Sequence, residues 1–256
     1  GGLFKMNING KIFFREAYKV LKKLEKTQMK KIKKASKVIS DSIKNDGVVH
    51  IFGAGHSQAF GMELAGRAGG LAMMNPMKLD DLVTLADDPV SYEERRDPSF
   101  ERNPENGLNV MNLHNIKSQD VIMVCSNSGR NGAVVEVALE AKRRSLPLIG
   151  VTSMNHSQKT ESRHPDEKKL YEIADIVIDN CGPYGDALLD VPEMEADVCS
   201  ISSITNAFIA QSLNAEIIGN LLEEDIKPPV FISYNVDGAD EHNQKLKDKY
   251  EDRVNV

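Results

Sequence analysis

The stretch VIMVCSNSGRNG, residues 121–132, decides the fold. Residues 121–125 are apolar or small, as expected of a buried β-strand, and the helical pattern AVVEVALEAKRR begins at residue 133. The polar residues between them bring hydroxyls and free backbone N–H groups to a helix N-terminus, where the helix dipole favours an anion. One interpretation is a loop that holds the phosphate of a small molecule. The alternative is an ordinary strand–turn–helix connection that Ser128 or Asn131 caps.

The composition is that of a soluble globular protein. The 256 residues are enough for a large core, and 41% apolar with 27% charged residues is ordinary for that class. The net charge of −6 hides an asymmetry, because residues 1–44 contain 13 Lys or Arg and only 3 Asp or Glu. We interpret this basic segment as the solvated face of a helix that complements an acidic body or a partner subunit. Nucleic-acid binding is not expected, because no recognisable module is present.

The cysteines and apolar runs indicate a protein of the reducing cytoplasm. The three cysteines have no C-x-x-C spacing, and Cys125 and Cys199 lie in apolar runs and are expected to be core residues. No apolar run reaches the ~18 residues of a membrane span, so no membrane partner is expected. No set of His, Cys and carboxylates has the spacing of metal ligands, so we predict neither a metal nor a cofactor. Residues 1–5, GGLFK, precede Met6 and are expected to be a remnant of cloning.

Helical and strand patterns alternate along the chain. An amphipathic pattern over residues 13–43 predicts one long helix or two, ahead of the strand VVHIF at residues 48–52. The glycine-rich turn GAGHS follows, then a predicted helix over residues 58–69 and a strand at residues 71–74, which together form a βαβ unit. A dinucleotide site is disfavoured, because GAGHSQ lacks the third glycine of G-x-G-x-x-G. The second strand also ends in Asn-Pro rather than in the ribose-binding acid.

A long polar excursion at residues 76–118 interrupts this alternation. It is either a functional loop or oligomer contact, or a solvated insertion, and Asn103 with Pro104 has the form of a helix cap and first turn. Further strands are predicted at residues 148–151 and 173–179, and a long helix at residues 194–222.

These elements add up to the α/β class, with a doubly wound parallel sheet and helical extensions. We assign residues 1–46 to an N-terminal helical extension, residues 47–222 to the main domain and residues 223–256 to a C-terminal extension.

The two polar loops are expected to face one pocket, because both follow strands at the carboxyl edge of the sheet. Gly53 and Gly55 let the backbone approach a ligand closely, and Ser57, Ser126 and Ser128 supply neutral hydroxyl donors. Neither loop contains the lysine of a Walker motif, which argues against nucleoside triphosphate chemistry.

The segments GAGHS, MELAGRAGG, VIMVCSNSGRNGAVVEVALEAKRRSLPLIGVTS and IADIVIDN, in this order, resemble the sugar-isomerase (SIS) domain family over residues 48–222. The match is closest to a branch with GAGHS and CSNSGRN signatures. The resemblance implies a three-layer fold with a five-stranded parallel sheet, serine-rich loops that bind phosphosugars, and homodimers or homotetramers whose pockets a neighbouring subunit completes.

Carried over by position, the resemblance implies that Ser57, Ser126 and Ser128 hold a sugar phosphate, within loops that include Gly53, Gly55 and Asn127. Asn131 stands where the family usually has Ser or Thr, a departure that changes one phosphate contact.

The segment ELAGR, residues 63–67, is similar to the E-L-x-G-R segment of phosphoheptose isomerases, in which the Glu is a catalytic base. The resemblance therefore implies a catalytic Glu63 with Arg67 beside the substrate. The alternative is a helix-surface ion pair between Glu63 and Arg67 at i,i+4 spacing.

A second acid/base group is harder to identify. Phosphoheptose isomerases have a His on the late helix, whereas the corresponding VCSISSITNAF offers only Ser and Thr. His56 is the nearest candidate, although it serves equally well as a capping or packing imidazole. Other acidic candidates are Glu93, Glu94, Glu193 and Glu195. We expect His50 to be structural and assign no role to His114, His156, His164 and His242.

Two functions follow. The first is an aldose–ketose isomerase, or a related lyase, acting on a sugar phosphate or amino-sugar phosphate. The alternative is a phosphosugar-binding regulator or sensor without catalysis, which the missing late-helix His favours and the lack of a DNA-binding module disfavours.

Overall fold

The computed structural model describes residues 8–255, and a five-stranded parallel sheet lies at its centre. Strand order is β2-β1-β3-β4-β5, so the order reverses between β1 and β3. The loops that follow these two strands therefore meet at the point where open α/β sheets bind ligands. The strands are β1 Val49–Gly53, β2 Met74–Met77, β3 Val121–Cys125, β4 Leu148–Thr152 and β5 Ile176–Asp179.

Helices cover both faces of this sheet, which confirms the predicted three-layer α/β fold with its long N-terminal helix. The helices are α1 Gly10–Lys44, α2 Ala59–Leu64, α3 Asp81–Thr84, α4 Tyr92–Arg96, α5 Pro104–Leu113, α6 Gly132–Arg143, α7 Met154–Ser157, α8 Leu170–Ile173, α9 Ser202–Glu223 and α10 Ala239–Tyr250.

One apolar core joins α1, α2 and α9 to one face of the sheet, and a second joins α5 and α6 to the other face. The segment for which one helix or two were predicted is a single helix of 35 residues. The prediction for residues 1–5 lies outside the described residues.

The first βαβ unit departs from the prediction in two places. The helix predicted over residues 58–69 ends at Leu64, because Ala65 is extended and Gly66 has a φ of +66°. The second strand is Met74–Met77 rather than residues 71–74, and it contains Pro76. A proline fits here because β2 is an edge strand, where the sheet does not need every N–H group.

The region before α9 is a small hairpin instead of the predicted helix start. Strands β6 Ala187–Leu189 and β7 Val198–Ser200 pair antiparallel, and α9 begins only at Ser202. The Asp186 carboxylate fixes this start, since it accepts hydrogen bonds from the Ser202 amide at 2.8 Å and the Ser202 hydroxyl at 2.7 Å. The expectation for Cys199 was wrong, because its position on β7 is exposed, whereas Cys125 is buried.

A buried polar cluster at the amino edge of the sheet holds the C-terminal segment in place. Asp120 accepts hydrogen bonds from the Val48 amide at 2.9 Å and from Arg253 Nη2 at 2.6 Å, and it lies 3.0 Å from His50 Nε2. Burial alone would raise the pKa of Asp120, but these bonds and the Lys117 amide lower it to about 2. His50 thus has the structural position expected from the sequence.

We predict that Arg253→Ala lowers the free energy of unfolding by about 3–5 kcal/mol, because it leaves the buried Asp120 without its cation. Urea denaturation at pH 7 measures the change. Arg144→Ala is the matched control, since Arg144 pairs with Glu140 nearer the surface, where ion pairs contribute about 0–1 kcal/mol.

The same cluster predicts an acid dependence. The folded-state pKa of Asp120, about 2, lies below the unfolded value of about 3.9. Its stabilisation is therefore present above about pH 4 and is lost as the pH falls towards 2. In Arg253→Ala, the free energy of unfolding should depend less on pH over this range. Equal stability of variant and parent at every pH would show that the cluster does not stabilise the fold.

Candidate functional site

The first loop turns sharply at the carboxyl end of β1. A 3₁₀ turn over Gly55–Gln58 follows Gly53 and leads directly into α2. A Cβ at Gly53 would lie 2.5 Å from the Ser57 carbonyl oxygen, so only glycine allows the turn to fold back on the strand. Gly55 has a φ of +55°, which also favours glycine. The turn presents His56 to solvent and keeps the Ser57 side chain half-buried.

The second loop joins β3 to α6. Ser126 is buried, and its hydroxyl accepts a hydrogen bond from the Gly129 amide at 3.1 Å. Ser128 and Asn131 are half-buried, and Asn131 is the N-cap residue of α6, although its side chain does not accept a bond from the helix. The Asn131 side chain therefore does not cap α6, as the alternative interpretation of this loop had suggested.

The two loops and the neighbouring strands are connected by side chains. The buried Cys125 thiol at the end of β3 accepts a hydrogen bond from Asn206 of α9 at 3.4 Å. Burial raises the pKa of that thiol to about 12, so it is not a nucleophile. The Asn127 carbonyl accepts from the Thr152 hydroxyl and its side-chain oxygen accepts from Asn180, at 3.1 and 3.0 Å. Asn180 also donates to Asn206 of α9 at 3.1 Å. Hydrogen bonds thus join the second loop to the carboxyl ends of β4 and β5 and to α9.

The two predicted acid/base residues line one small cleft beside these loops. His56 and Glu63 face Ser203 and Asn206 of α9 across a hollow of about 70 Å³. Glu93 and Glu94 line a different hollow, and neither Glu193 nor Glu195 lines this cleft.

Glu63 is held from two sides. Its Oε1 accepts a hydrogen bond from Gln211 of α9 at 2.6 Å, and its Oε2 forms an ion pair with the half-exposed Arg67. The surface pair considered from the sequence is therefore formed, while the carboxylate still lines the cleft. Gln211 was not predicted, although Ser203, Ala207 and Gln211 recur every four residues and so share one face of α9.

A carboxylate from the polar excursion lies between the two loops, and the sequence did not predict it. Glu101 Oε1 accepts a hydrogen bond from Asn131 Nδ2 at 2.5 Å. Its other oxygen would be 4.0 Å from a Cβ at Gly55. On its opposite side, Asn131 accepts a bond from Arg163 Nη1 at 2.9 Å. The residue that departs from the usual Ser or Thr thus bridges a carboxylate and a guanidinium.

Two larger hollows lie near α10, each of about 230–240 Å³. Of the predicted site residues, only Arg67 lines either of them. Within residues 8–255, no group of three or more His, Cys, Asp or Glu is placed to hold a metal ion. None of the helices there is long and apolar enough to cross a membrane.

Comparisons with known proteins agree with this geometry. A family model for the SIS domain matches residues 12–153. The chain is 42% identical over 246 residues to a UPF0309 protein of Caldanaerobacter subterraneus subsp. tengcongensis, covering 95% of this chain and 98% of the relative. It is 40% identical over 243 residues to a UPF0309 protein of Thermoanaerobacter pseudethanolicus, covering 93% and 96%. The chain belongs to the SIS domain family.

Among solved structures, the phosphoheptose isomerase GmhA of Neisseria gonorrhoeae has a similar fold. The TM-score is 0.53 at 17% identity, and the similarity covers 81% of this chain and 96% of that one. At this identity the likeness concerns the fold.

We predict that Gly53→Ala destabilises the protein more than Gly55→Ala. At Gly53 the new Cβ meets backbone atoms at 2.5–2.8 Å, so the 3₁₀ turn must move, at a cost of about 1–3 kcal/mol. At Gly55 the surrounding space is open, so the only cost is that of holding an alanine at a positive φ, about 1 kcal/mol. Urea denaturation of both variants tests this, and a Gly53→Ala variant as stable as the parent would contradict the described turn.

Proposed function

We propose that the chain binds a sugar phosphate at the carboxyl edge of the sheet and is an aldose–ketose isomerase or a related lyase. The observation that carries the proposal is that Glu63 and His56 line one cleft directly beside the serine-rich loops. Membership of the SIS family supports the phosphosugar part of the proposal. The substrate is a phosphorylated sugar or amino sugar.

The phosphate is held by neutral donors in this proposal. The proposed donors are the hydroxyls of Ser57, Ser126 and Ser128, the side chains of Asn127 and Asn131, and the backbone at Gly53 and Gly55. They belong to the two loops that follow β1 and β3, and the second loop leads into the N-terminus of α6, whose dipole favours an anion. The half-buried Ser128 is free to turn its hydroxyl to a ligand, since no hydrogen bond of its side chain is found among residues 8–255.

The carboxylate of Glu63 is the proposed base. It removes the proton from the carbon next to the sugar carbonyl, which leaves an enediolate, and returns the proton to the neighbouring carbon. His56 moves the second proton between the two oxygens, so the overall change is an isomerisation without net loss of atoms. Arg67 and Gln211 orient the carboxylate from two sides. In a lyase, the enediolate formed by the same proton removal would instead expel a substituent from the neighbouring carbon.

A non-catalytic phosphosugar sensor is the second candidate function. The observation that favours it is that α9 contributes Ser203 and Asn206 to the cleft where a second proton-transfer group is expected. Their side chains bind sugar hydroxyls well but do not exchange protons near neutral pH.

We also propose that a second copy of the chain covers the outer face of α1 and α9, giving a homodimer or homotetramer in the cytoplasm. An apolar groove of about 400 Å³ lies there, between Leu21 and Met29 of α1 and Phe208 of α9. Phe14, Tyr18 and Phe208 are each more than half exposed. Exposed apolar patches of this kind mark interaction surfaces.

We predict that Ser128→Asp abolishes binding of sugar phosphates without unfolding the protein. The variant places a negative charge against the ligand phosphate, at a position that is half-buried rather than buried. Ser126→Asp should have the same effect on binding, with an added cost in stability because Ser126 is buried. Thermal shift against hexose, heptose and N-acetylamino sugar phosphates measures binding.

Ser118→Asp is the matched control for this charge change. Ser118 is exposed in the turn before β3, at the opposite edge of the sheet. Normal ligand-dependent stabilisation of Ser128→Asp would exclude the second loop as the phosphate site.

We predict that Glu63→Gln lowers kcat by about 10²–10⁴-fold, the usual contribution of a general base, and leaves binding nearly unchanged. Steady-state kinetics on any turned-over sugar phosphate tests this. Glu241→Gln is the control, since Glu241 also forms an i,i+4 ion pair but lies on α10. Full turnover in Glu63→Gln would exclude a catalytic role for Glu63. Binding of a sugar phosphate without turnover in the parent protein would support the sensor function.

A further inference from the structure

Three arginines near the second loop have no carboxylate partner. Within residues 8–255, no carboxylate oxygen lies within 4.0 Å of the guanidinium groups of Arg102, Arg130 and Arg163, although the other arginines are compensated. Arg96 lies over the ring of Tyr92, and each of the rest forms an ion pair: Arg15, Arg67, Arg95, Arg143, Arg144 and Arg253. Among the described residues, the arginines that lack both a carboxylate and a ring partner thus lie together near the second loop, in a chain of net charge −6.

Three distant parts of the sequence bring these arginines together. Arg130 belongs to the second loop, and its carbonyl accepts a hydrogen bond from the Arg163 amide at 2.8 Å. The Arg163 guanidinium then reaches Asn131 at 2.9 Å. Arg102 ends a 3₁₀ turn from the polar excursion, and its carbonyl packs so closely on Gly132 that a Cβ there would be 2.0 Å away.

The electrostatics of the cluster are unfavourable without a bound anion. Burial lowers the pKa of Arg163, and the charges of Arg130 and Arg102 lower it further, while Glu101 is the one carboxylate that acts in the opposite direction. Arg130 Nε is buried and has no hydrogen-bond partner in the described part of the chain. A buried unpaired N–H group costs free energy that a suitable acceptor would recover.

We propose that Arg102, Arg130 and Arg163 bind a second anionic group of the ligand, beyond the phosphate held by the serine loops. The inference rests on the proposed function, because the ligand is taken to be a sugar phosphate, and it narrows the class to sugar bisphosphates and phosphorylated sugar acids. Guanidinium groups suit this role because their planar donors match both phosphate and carboxylate oxygens. Arg102 and Arg163 are exposed, so the cluster is open to a ligand from solvent.

The direct test compares three ligands by isothermal titration calorimetry. Fructose 6-phosphate has one anionic group, fructose 1,6-bisphosphate has two phosphates, and 6-phosphogluconate has a phosphate and a carboxylate. We expect at least one of the two doubly anionic ligands to bind about tenfold more tightly than the monophosphate. Which one does so tells whether the second group is a phosphate or a carboxylate. Raising the ionic strength should reduce this advantage.

Variants assign that advantage to the cluster. Arg163→Gln should remove most of the tenfold difference and leave affinity for the monophosphate within about threefold, and Arg163→Lys should restore part of it. Arg96→Gln, with the same change of charge at an exposed position on α4, is the control and should leave the difference unchanged. Glu101→Gln removes the opposing carboxylate and should tighten binding of the doubly anionic ligand several-fold. Thermal melts without ligand confirm that each variant is folded.

Two results would overturn the inference while the proposed function stands. One is equal affinity of the parent protein for all three ligands. The other is an equal loss for mono- and doubly anionic ligands in Arg163→Gln, which would make the arginines part of the first phosphate site.

If no sugar phosphate binds, the proposed function fails, and pyrophosphate then reports on the cluster alone. A thermal shift by pyrophosphate that Arg163→Gln removes and Arg96→Gln retains would support an anion site, and its absence would overturn the inference as well.

Discussion

The pairing of β1 with β3 is the constraint on which the site depends. Gly53 and Cys125 are register partners at the carboxyl ends of these strands, so the loops that follow start side by side. Ser57 of the first loop also lies near Cys125, since its hydroxyl lowers the pKa of that thiol. Strand order reverses at this point, which is where open α/β sheets bind their ligands.

The surrounding helices turn this edge into a cleft. The hydrogen bond from Gln211 of α9 to Glu63 joins two helices that pack on the same face of the sheet. The Asn127–Asn180–Asn206 chain connects the second loop to the same helix. The side chains that line the cleft therefore hold one another in position, as the proposed binding of a ligand there requires.

Much of the fold could be predicted because its signals are local. The apolar run of β3, the glycine turn after β1 and the proline at the start of α5 each act within a few residues, and all three elements form as expected. Two of the errors came where distant parts of the chain decide the outcome. Pro76 can join a strand only because β2 lies at the edge of the sheet, and α9 starts at Ser202 because Asp186 folds back to bind it.

The candidate site divides in the same way, between residues that local motifs indicate and residues that only the fold brings together. The loop serines, His56 and Glu63 follow from motifs, and the structure brings the two proposed acid/base residues to one cleft. Glu101, Arg102 and Arg163 have no such motif, because they approach Asn131 and Gly132 only through the fold of the polar excursion and of the segment after α7.

The most direct measurement is a crystal structure of the protein soaked with a sugar phosphate that stabilises it. We predict that the phosphate lies within hydrogen-bond distance of the hydroxyls of Ser57 and Ser128, with the sugar between His56 and Glu63. A phosphate bound elsewhere, such as the hollow between Tyr250 and Ala72, would contradict the central claim that the two loops form the ligand site.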